Sequence, residues 1–297
     1  MGLHRSGTSI LYKMLGETKK FNILTLYHVI NYNQLIYNYV NKIETKKKQE
    51  LNDLIIKKGI KTRKTDHMVV NSDYPHEYMY IFSELGYSWK INEKNKLLFE
   101  TLCKKLKYIS ENNNPILLKN PHDFANFVFI KQNFPNAKFI FIHRNPFEVI
   151  NSTMRLWETH LKTKNEFLAI YSKSYEKVYD NPLSRMLLRF IYISKIPIGI
   201  TRVVTSAAKR SMHYLKNIDS LSKEDYVIIT YENLCKNPNK VIGEVLDFLN
   251  VKSNIDFSKF VKPRNLKLIP KVEFWKNLIK KKMKDYINYL HKISTLE

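Results

Sequence analysis

Short apolar runs that end at a polar turn and lead into a helical pattern recur along the chain, at residues 68–70, 116–118, 139–142 and 226–230. Strands that alternate with helices predict an α/β fold of three layers, a parallel sheet flanked by helices. In such a sheet a ligand sits off the carboxyl ends of the strands, so the residues just after each run are the ones to examine for chemistry. Between the runs, Ile10, Leu11, Met14 and Leu15 fall on one helical face, with Gly16 as its stop. Residues 39–64 are lysine-rich and polar and predict a solvated helix and connection. Val241, Val245, Leu246 and Leu249 recur at helical spacing, so the segment from 226 onward is a strand, a short loop and a helix. Near the end, Trp275, Leu278, Met283, Tyr286, Leu290 and Ile293 form an apolar stripe opposite lysines, the pattern of an amphipathic helix docked on a core. No internal repeat or low-complexity linker is evident. A single domain over 1–297 is therefore expected, with 158–223 as a mainly helical cap within it.

Composition narrows the class. At 297 residues and 44% hydrophobic the chain can bury a full core. The formal net charge of +23 would attract polyanions. Lysine outnumbers arginine heavily and no nucleic-acid recognition motif is present, so no nucleic-acid partner is expected. Two cysteines, Cys103 and Cys235, are too few for a disulfide framework and lack metal-ligand spacing; a reducing compartment and no metal are expected. The most apolar stretch, 186–204, is interrupted by Arg189, Lys195, Pro197 and Arg202, and predicts a buried or lid helix pair in place of a membrane span. With no leader before the first functional-looking loop, the expected location is cytoplasmic.

The chemistry concentrates in two segments. In Arg5-Ser6-Gly7-Thr8-Ser9, Gly7 permits a tight turn, successive backbone N–H groups can converge, and three hydroxyls add donors just where a helix begins with its positive end. A nucleoside-triphosphate loop would place Lys-Ser/Thr after a second glycine, and no lysine follows Gly7. A buried strand should feed such a loop, yet no apolar run precedes Gly2; the first strand is expected to be missing at the N-terminus. In the second segment, Arg144 closes the run 139–142, Asn145 can cap a helix, Pro146 suits its first turn, and Ser152 lies about two turns further on. Arginine presents the fork that grips phosphate bidentately, which lysine lacks.

Together these segments resemble the 5′-phosphosulfate loop and 3′-phosphate motif of the sulfotransferase family, with Arg144 and Ser152 matching that motif's Arg and Ser. The stretch 116–157, ILLKNPHDFANFVFIKQNFPNAKFIFIHRNPFEVINSTMRLW, is similar to the bacterial-type branch. The stretch 231–251, YENLCKNPNKVIGEVLDFLNV, resembles the family's Tyr-Glu-Asp-Leu segment, with Asn233 in place of Asp. The resemblance implies a P-loop NTPase-like sulfotransferase fold and 3′-phosphoadenosine-5′-phosphosulfate (PAPS) as donor to a hydroxyl or amine of a carbohydrate, lipid or small molecule. Arg5, Ser6, Gly7, Thr8, Ser9, Arg144 and Ser152 are then the expected cofactor-binding residues.

In-line displacement needs an acceptor deprotonated and a leaving group neutralised. Lys119, at a strand end where the family carries a lysine, is the expected leaving-group cation. His122, close behind it as in the cytosolic branch, is a candidate general base. Glu77 is its rival: the bacterial-type branch carries an acidic cluster after a proline there, and Met79 stands where a second acid is expected. His28 reads as a satisfied core or rim histidine. Two alternatives stay open at this point: a P-loop-like small-molecule kinase, and a truncated anion-binding protein without catalysis.

Overall fold

A computed structural model describes residues 1–64, 68–194, 196–261 and 267–294. Among these the strands are β1 (Asn22–Ile23), β2 (Ile116–Leu117), β3 (Phe139–His143) and β4 (Tyr226–Thr230), and helices make up most of the remainder. Both pairings are parallel: β1 with β2, from Asn22↔Ile116 to Ile23↔Leu117, and β3 with β4, from Phe139↔Tyr226 to His143↔Thr230. The chain divides into two compact units. One comprises Met1–Met14, Pro121–Glu158 and Leu188–Glu297; the other comprises Leu15–Asn120 and Thr159–Leu187.

The first unit holds β3 and β4. All five residues of β3 are buried, as a continuous Phe/Ile run requires when both faces of a strand are covered. Around it lie Phe124, Phe127, Tyr214 and Tyr286, each less than 2% exposed. Phe124 stacks on Tyr214 with centroids 5.3 Å apart, and Phe127 meets Phe141 edge-on at 5.4 Å. Aromatic pairs of this kind add roughly 0.5–1.5 kcal/mol each beyond the area they bury. The C-terminal stripe falls on three short helices, Pro270–Phe274, Lys276–Lys282 and Lys284–Ser294, in place of the one expected. Of its members only Met283 and Tyr286 are buried, and Ile279, outside the expected stripe, is buried in place of Leu278.

The second unit holds β1 and β2. β1 was not foreseen: two residues among polar neighbours give no periodicity, and its pairing begins from the Asn22 N–H to the Pro115 carbonyl at 2.9 Å. The strand expected at 68–70 is not formed. Only a single antiparallel bridge, Thr62↔Val69, appears there, because Val70 is buried while Val69 is 67% exposed, so the segment has no second apolar neighbour to pair beneath cover. Gly16 is not a stop either. The helix Thr8–Glu17 runs through it, and a Cβ there would sit 3.1 Å from Ile23 Cδ1, so the glycine serves close approach to β1.

The apolar stretch 186–204 behaves in two ways. The helix Ile198–Asn217 buries Ile200 and Val204, as expected, whereas the helix Pro182–Tyr192 buries no residue at all. No described helix is long and apolar enough to cross a membrane.

Candidate active site

In the first unit the loop begins beside β3. The Met1 amine donates to the Ile140 carbonyl, and the Ile142 N–H donates to the Met1 carbonyl at 2.7 Å, so this residue makes one parallel rung on β3. The chain then turns sharply, with the Ser6 N–H on the Leu3 carbonyl at 3.0 Å and with Arg5 and Gly7 both left-handed, at φ 74° and 100°. A side chain at Gly7 is excluded twice over: by that φ, and by Tyr231, whose ring carbon would lie 2.3 Å from an added Cβ. Thr8, buried, opens the helix; Ser9 is half-buried in its first turn.

Arg144 follows β3 directly. The Asn145 side chain accepts the Phe147 N–H at 2.9 Å and so starts the helix Pro146–Lys162, with Pro146 first in it. The Arg144 guanidinium lies 4.2 Å from the Tyr231 ring centroid and donates through Nη1 to the Arg5 carbonyl at 3.1 Å. Its Nη2 reaches Glu148 Oε2 at 3.4 Å. Arg5 Nε in turn donates to Ser152 Oγ at 3.0 Å, and Glu232 Oε1 accepts the Asn145 N–H at 3.0 Å. The structure thus brings Arg5, the loop, Arg144 and Ser152 into one cluster. Two donors in it have no partner: Ser6 Oγ and Arg144 Nε, both buried. An unmet buried donor costs about 1–3 kcal/mol, so an oxyanion that meets these two would relieve that cost. Burial pushes the Glu148 carboxyl above its usual range, and Arg144 opposes the shift.

His122 belongs to the same unit, in the turn Pro121–Asp123. Its Nδ1 lies 3.5 Å from Arg210 Nη2, a contact in which a guanidinium can only donate. Burial lowers the Arg210 pKa, with Asp123 opposing.

The second unit holds Lys119 and Glu77. Lys119 Nζ lies 2.6 Å from Glu77 Oε1, and each residue is only 8% exposed. Aromatic rings surround the pair's neighbour His76, with Tyr171 at 4.2 Å and Tyr80 at 5.0 Å between centroids. Burial pushes His76 down to about 3, against the pull of Glu77, and raises the Tyr80 and Tyr171 hydroxyls. Arg63 Nη1 donates to the Tyr74 hydroxyl at 2.8 Å, and Asn120, next to Lys119, donates to the Trp89 carbonyl at 2.7 Å. His28 is a capping residue: its Nδ1 accepts the Thr25 N–H at 3.1 Å, its own N–H donates to Thr25 Oγ1, and burial lowers it to about 4.

A sequence profile described as "Sulfotransferase family" matches residues 1–194. The chain belongs to the sulfotransferase family. Among solved structures it is similar to sulfotransferase STF9 from Mycobacterium avium, at 14% identity over 97% of this chain and 75% of that one, with a TM-score of 0.60. A sulfotransferase from Alicyclobacillus acidocaldarius matches at 16% identity over 73% of this chain and 84% of that one, with a TM-score of 0.42. A search of curated proteins found no match. The chain therefore carries the α/β sulfotransferase fold, built here from parallel strand pairs among many helices.

Within this sulfotransferase, Tyr231, Glu232 and Arg210 are site neighbours whose roles the sequence did not disclose. Tyr231 and Glu232 stand immediately after β4, the strand-end position that singled out Arg144 and Lys119, so the same rule applied to 226–230 would have found them. Arg210 lies inside the long helix Ile198–Asn217 and carries no such signal.

Proposed function

We propose that the protein transfers the sulfuryl group of PAPS to a hydroxyl or amine by in-line displacement. The observation that carries this reading is the pair of unmet buried donors, Ser6 Oγ and Arg144 Nε, in a loop and strand end already held together by the Arg5–Ser152 and Arg144–Arg5 hydrogen bonds. Arginine forks and a left-handed loop at a helix start suit a nucleotide that carries phosphates at both ends. When bound, PAPS would supply the sulfuryl group, and Arg5 through Ser9, Arg144 and Ser152 would hold it.

Lys119 is assigned to neutralise charge on the leaving side, and Glu77 to take the acceptor's proton. Glu77 is preferred to His122, because Nδ1 of His122 faces the Arg210 donor. The buried Lys119–Glu77 pair supplies a proton acceptor beside a cation, with little water to screen either. The acceptor is a carbohydrate, a lipid or a small molecule.

The test is calorimetric titration with 3′-phosphoadenosine-5′-phosphate, with ATP and Arg144→Ala as comparisons. Micromolar binding of the bisphosphate, weak binding of ATP and loss of binding in Arg144→Ala are expected. Equal binding of ATP, or none of the bisphosphate by the folded chain, overturns the assignment and returns the kinase reading.

A further inference from the structure

The helix Pro182–Tyr192 turns its apolar stripe away from the protein. Leu183, Met186, Leu187 and Phe190 are 73%, 65%, 57% and 52% exposed. Spaced at i, i+3, i+4 and i+7, they share an arc of roughly 100° on one face of a continuous helix. The opposite side is half-buried and mixed: Ser184, Arg185 and Arg189 lie there with Leu188, Ile191 and Tyr192. Arg185 donates to the Tyr179 carbonyl at 3.0 Å and lies over the Tyr179 ring, 5.2 Å from its centroid.

The end of the helix is held, so the exposure is not fraying. Tyr192 stacks on Trp157 with centroids 4.1 Å apart and planes 7° from parallel, and Lys271 Nζ donates to the Tyr192 and Ser194 carbonyls at 3.3 and 2.7 Å. The helix itself carries Arg185 and Arg189 and no Asp or Glu, within a protein of net charge +23. An exposed apolar stripe on a helix whose only charges are cationic, in a strongly cationic protein, complements a surface that offers both hydrocarbon and negative charge.

We propose that this helix lies in the interface of an anionic lipid bilayer, with Leu183, Met186, Leu187 and Phe190 among the acyl chains and the cations at the headgroups. This places the protein on a membrane without a spanning helix, and it stands independently of the donor reading.

The test is cosedimentation of the full chain with vesicles of phosphatidylglycerol and phosphatidylcholine, against vesicles of phosphatidylcholine alone, at about 0.1 M salt. Binding to the anionic vesicles is expected, and Leu187→Glu with Phe190→Glu should weaken it roughly tenfold or more. Leu97→Glu, at another exposed leucine, should leave it unchanged. Unaltered thermal melts establish that the variants fold, and Phe190→Trp should give a blue-shifted emission only with anionic vesicles. Equal binding by the stripe variant means that charge alone acts and overturns insertion. Absence of vesicle binding, with a dimer that the stripe variant dissociates, identifies a second copy as the occupant and also overturns it.

Discussion

In the Arg144 cluster donors are left over, whereas in the Lys119–Glu77 cluster one cation meets one carboxylate. The first is held by backbone geometry: a left-handed Arg5, a Gly7 pressed on Tyr231, and guanidinium groups that donate to the Arg5 carbonyl and to Ser152. Ser6 Oγ and Arg144 Nε remain unmet. In the second, Lys119 and Glu77 meet at 2.6 Å, with a histidine beside them that burial keeps neutral. A site with surplus donors is organised to receive an anion and gains by doing so. A buried ion pair depends on both of its members, and its chemistry shows when one of them is disturbed.

Breaking the pair should have the largest effect. Glu77→Ala leaves Lys119 buried without its carboxylate, and a loss of about 3–5 kcal/mol in urea unfolding is expected. The double variant Glu77→Leu with Lys119→Met should recover most of that stability and none of the sulfuryl transfer. Full activity in the folded double variant would remove both residues from the chemistry.

Acid should weaken both units, and more so the one that contains Lys119. His28 and His76 in that unit have their pKa lowered from 6.5 to about 4 and about 3 by burial, and His143 in the other unit is lowered to about 3. A lowered histidine favours folding while it is neutral in both states, above 6.5. That contribution is lost as pH falls below 6.5, where only the unfolded chain takes the proton. Each histidine should cost roughly 2 kcal/mol by pH 5. The check is the urea midpoint between pH 7.5 and 5; a flat profile would show that these rings gain protons in the folded state.

The same contrast explains what the sequence disclosed. The Arg144 cluster is written in contiguous residues, a five-residue loop and a strand end with its helix, so local rules of capping, glycine conformation and arginine geometry were enough to point to Arg5, Gly7, Arg144 and Ser152. That 139–142 and 226–230 are strands of a parallel sheet was legible too, from their buried Phe, Ile and Val runs, although which strand pairs with which was not. The Lys119–Glu77 pair joins positions far apart in the chain, and no periodicity announces which carboxylate a lysine will meet. Both residues were named separately, as rival or complementary catalysts, without a hint that they touch. Likewise β1 is two residues long, and Val69 and Val70 look alike in sequence although one is exposed and the other buried.

Removing a guanidinium tests the open cluster next. Arg144→Ala deletes the donor to the Arg5 carbonyl and the stack on Tyr231, so bisphosphate binding should fall roughly ten- to hundredfold, in line with about 1.5–3 kcal/mol for a charged hydrogen bond. Arg144→Lys should recover only part of it, since an ammonium cannot reproduce the fork. Full recovery by lysine would mean that charge alone, and not geometry, is read at this position.

Ser6→Ala carries the smallest effect and the sharpest sign. Its hydroxyl is fully buried and without a partner, so deleting it should leave stability unchanged or raise it by up to about 1 kcal/mol, because the folded state no longer desolvates an unmet group. Bisphosphate affinity should fall severalfold in the same variant, since the hydroxyl without a protein partner is the one the ligand would meet. Opposite movement of stability and affinity is what distinguishes a donor reserved for an anion from a merely imperfect core. If both fall together, Ser6 packs the loop and the surplus of donors in this cluster has no functional meaning; if affinity is unmoved, the anion rests on Arg144 and Arg5 alone.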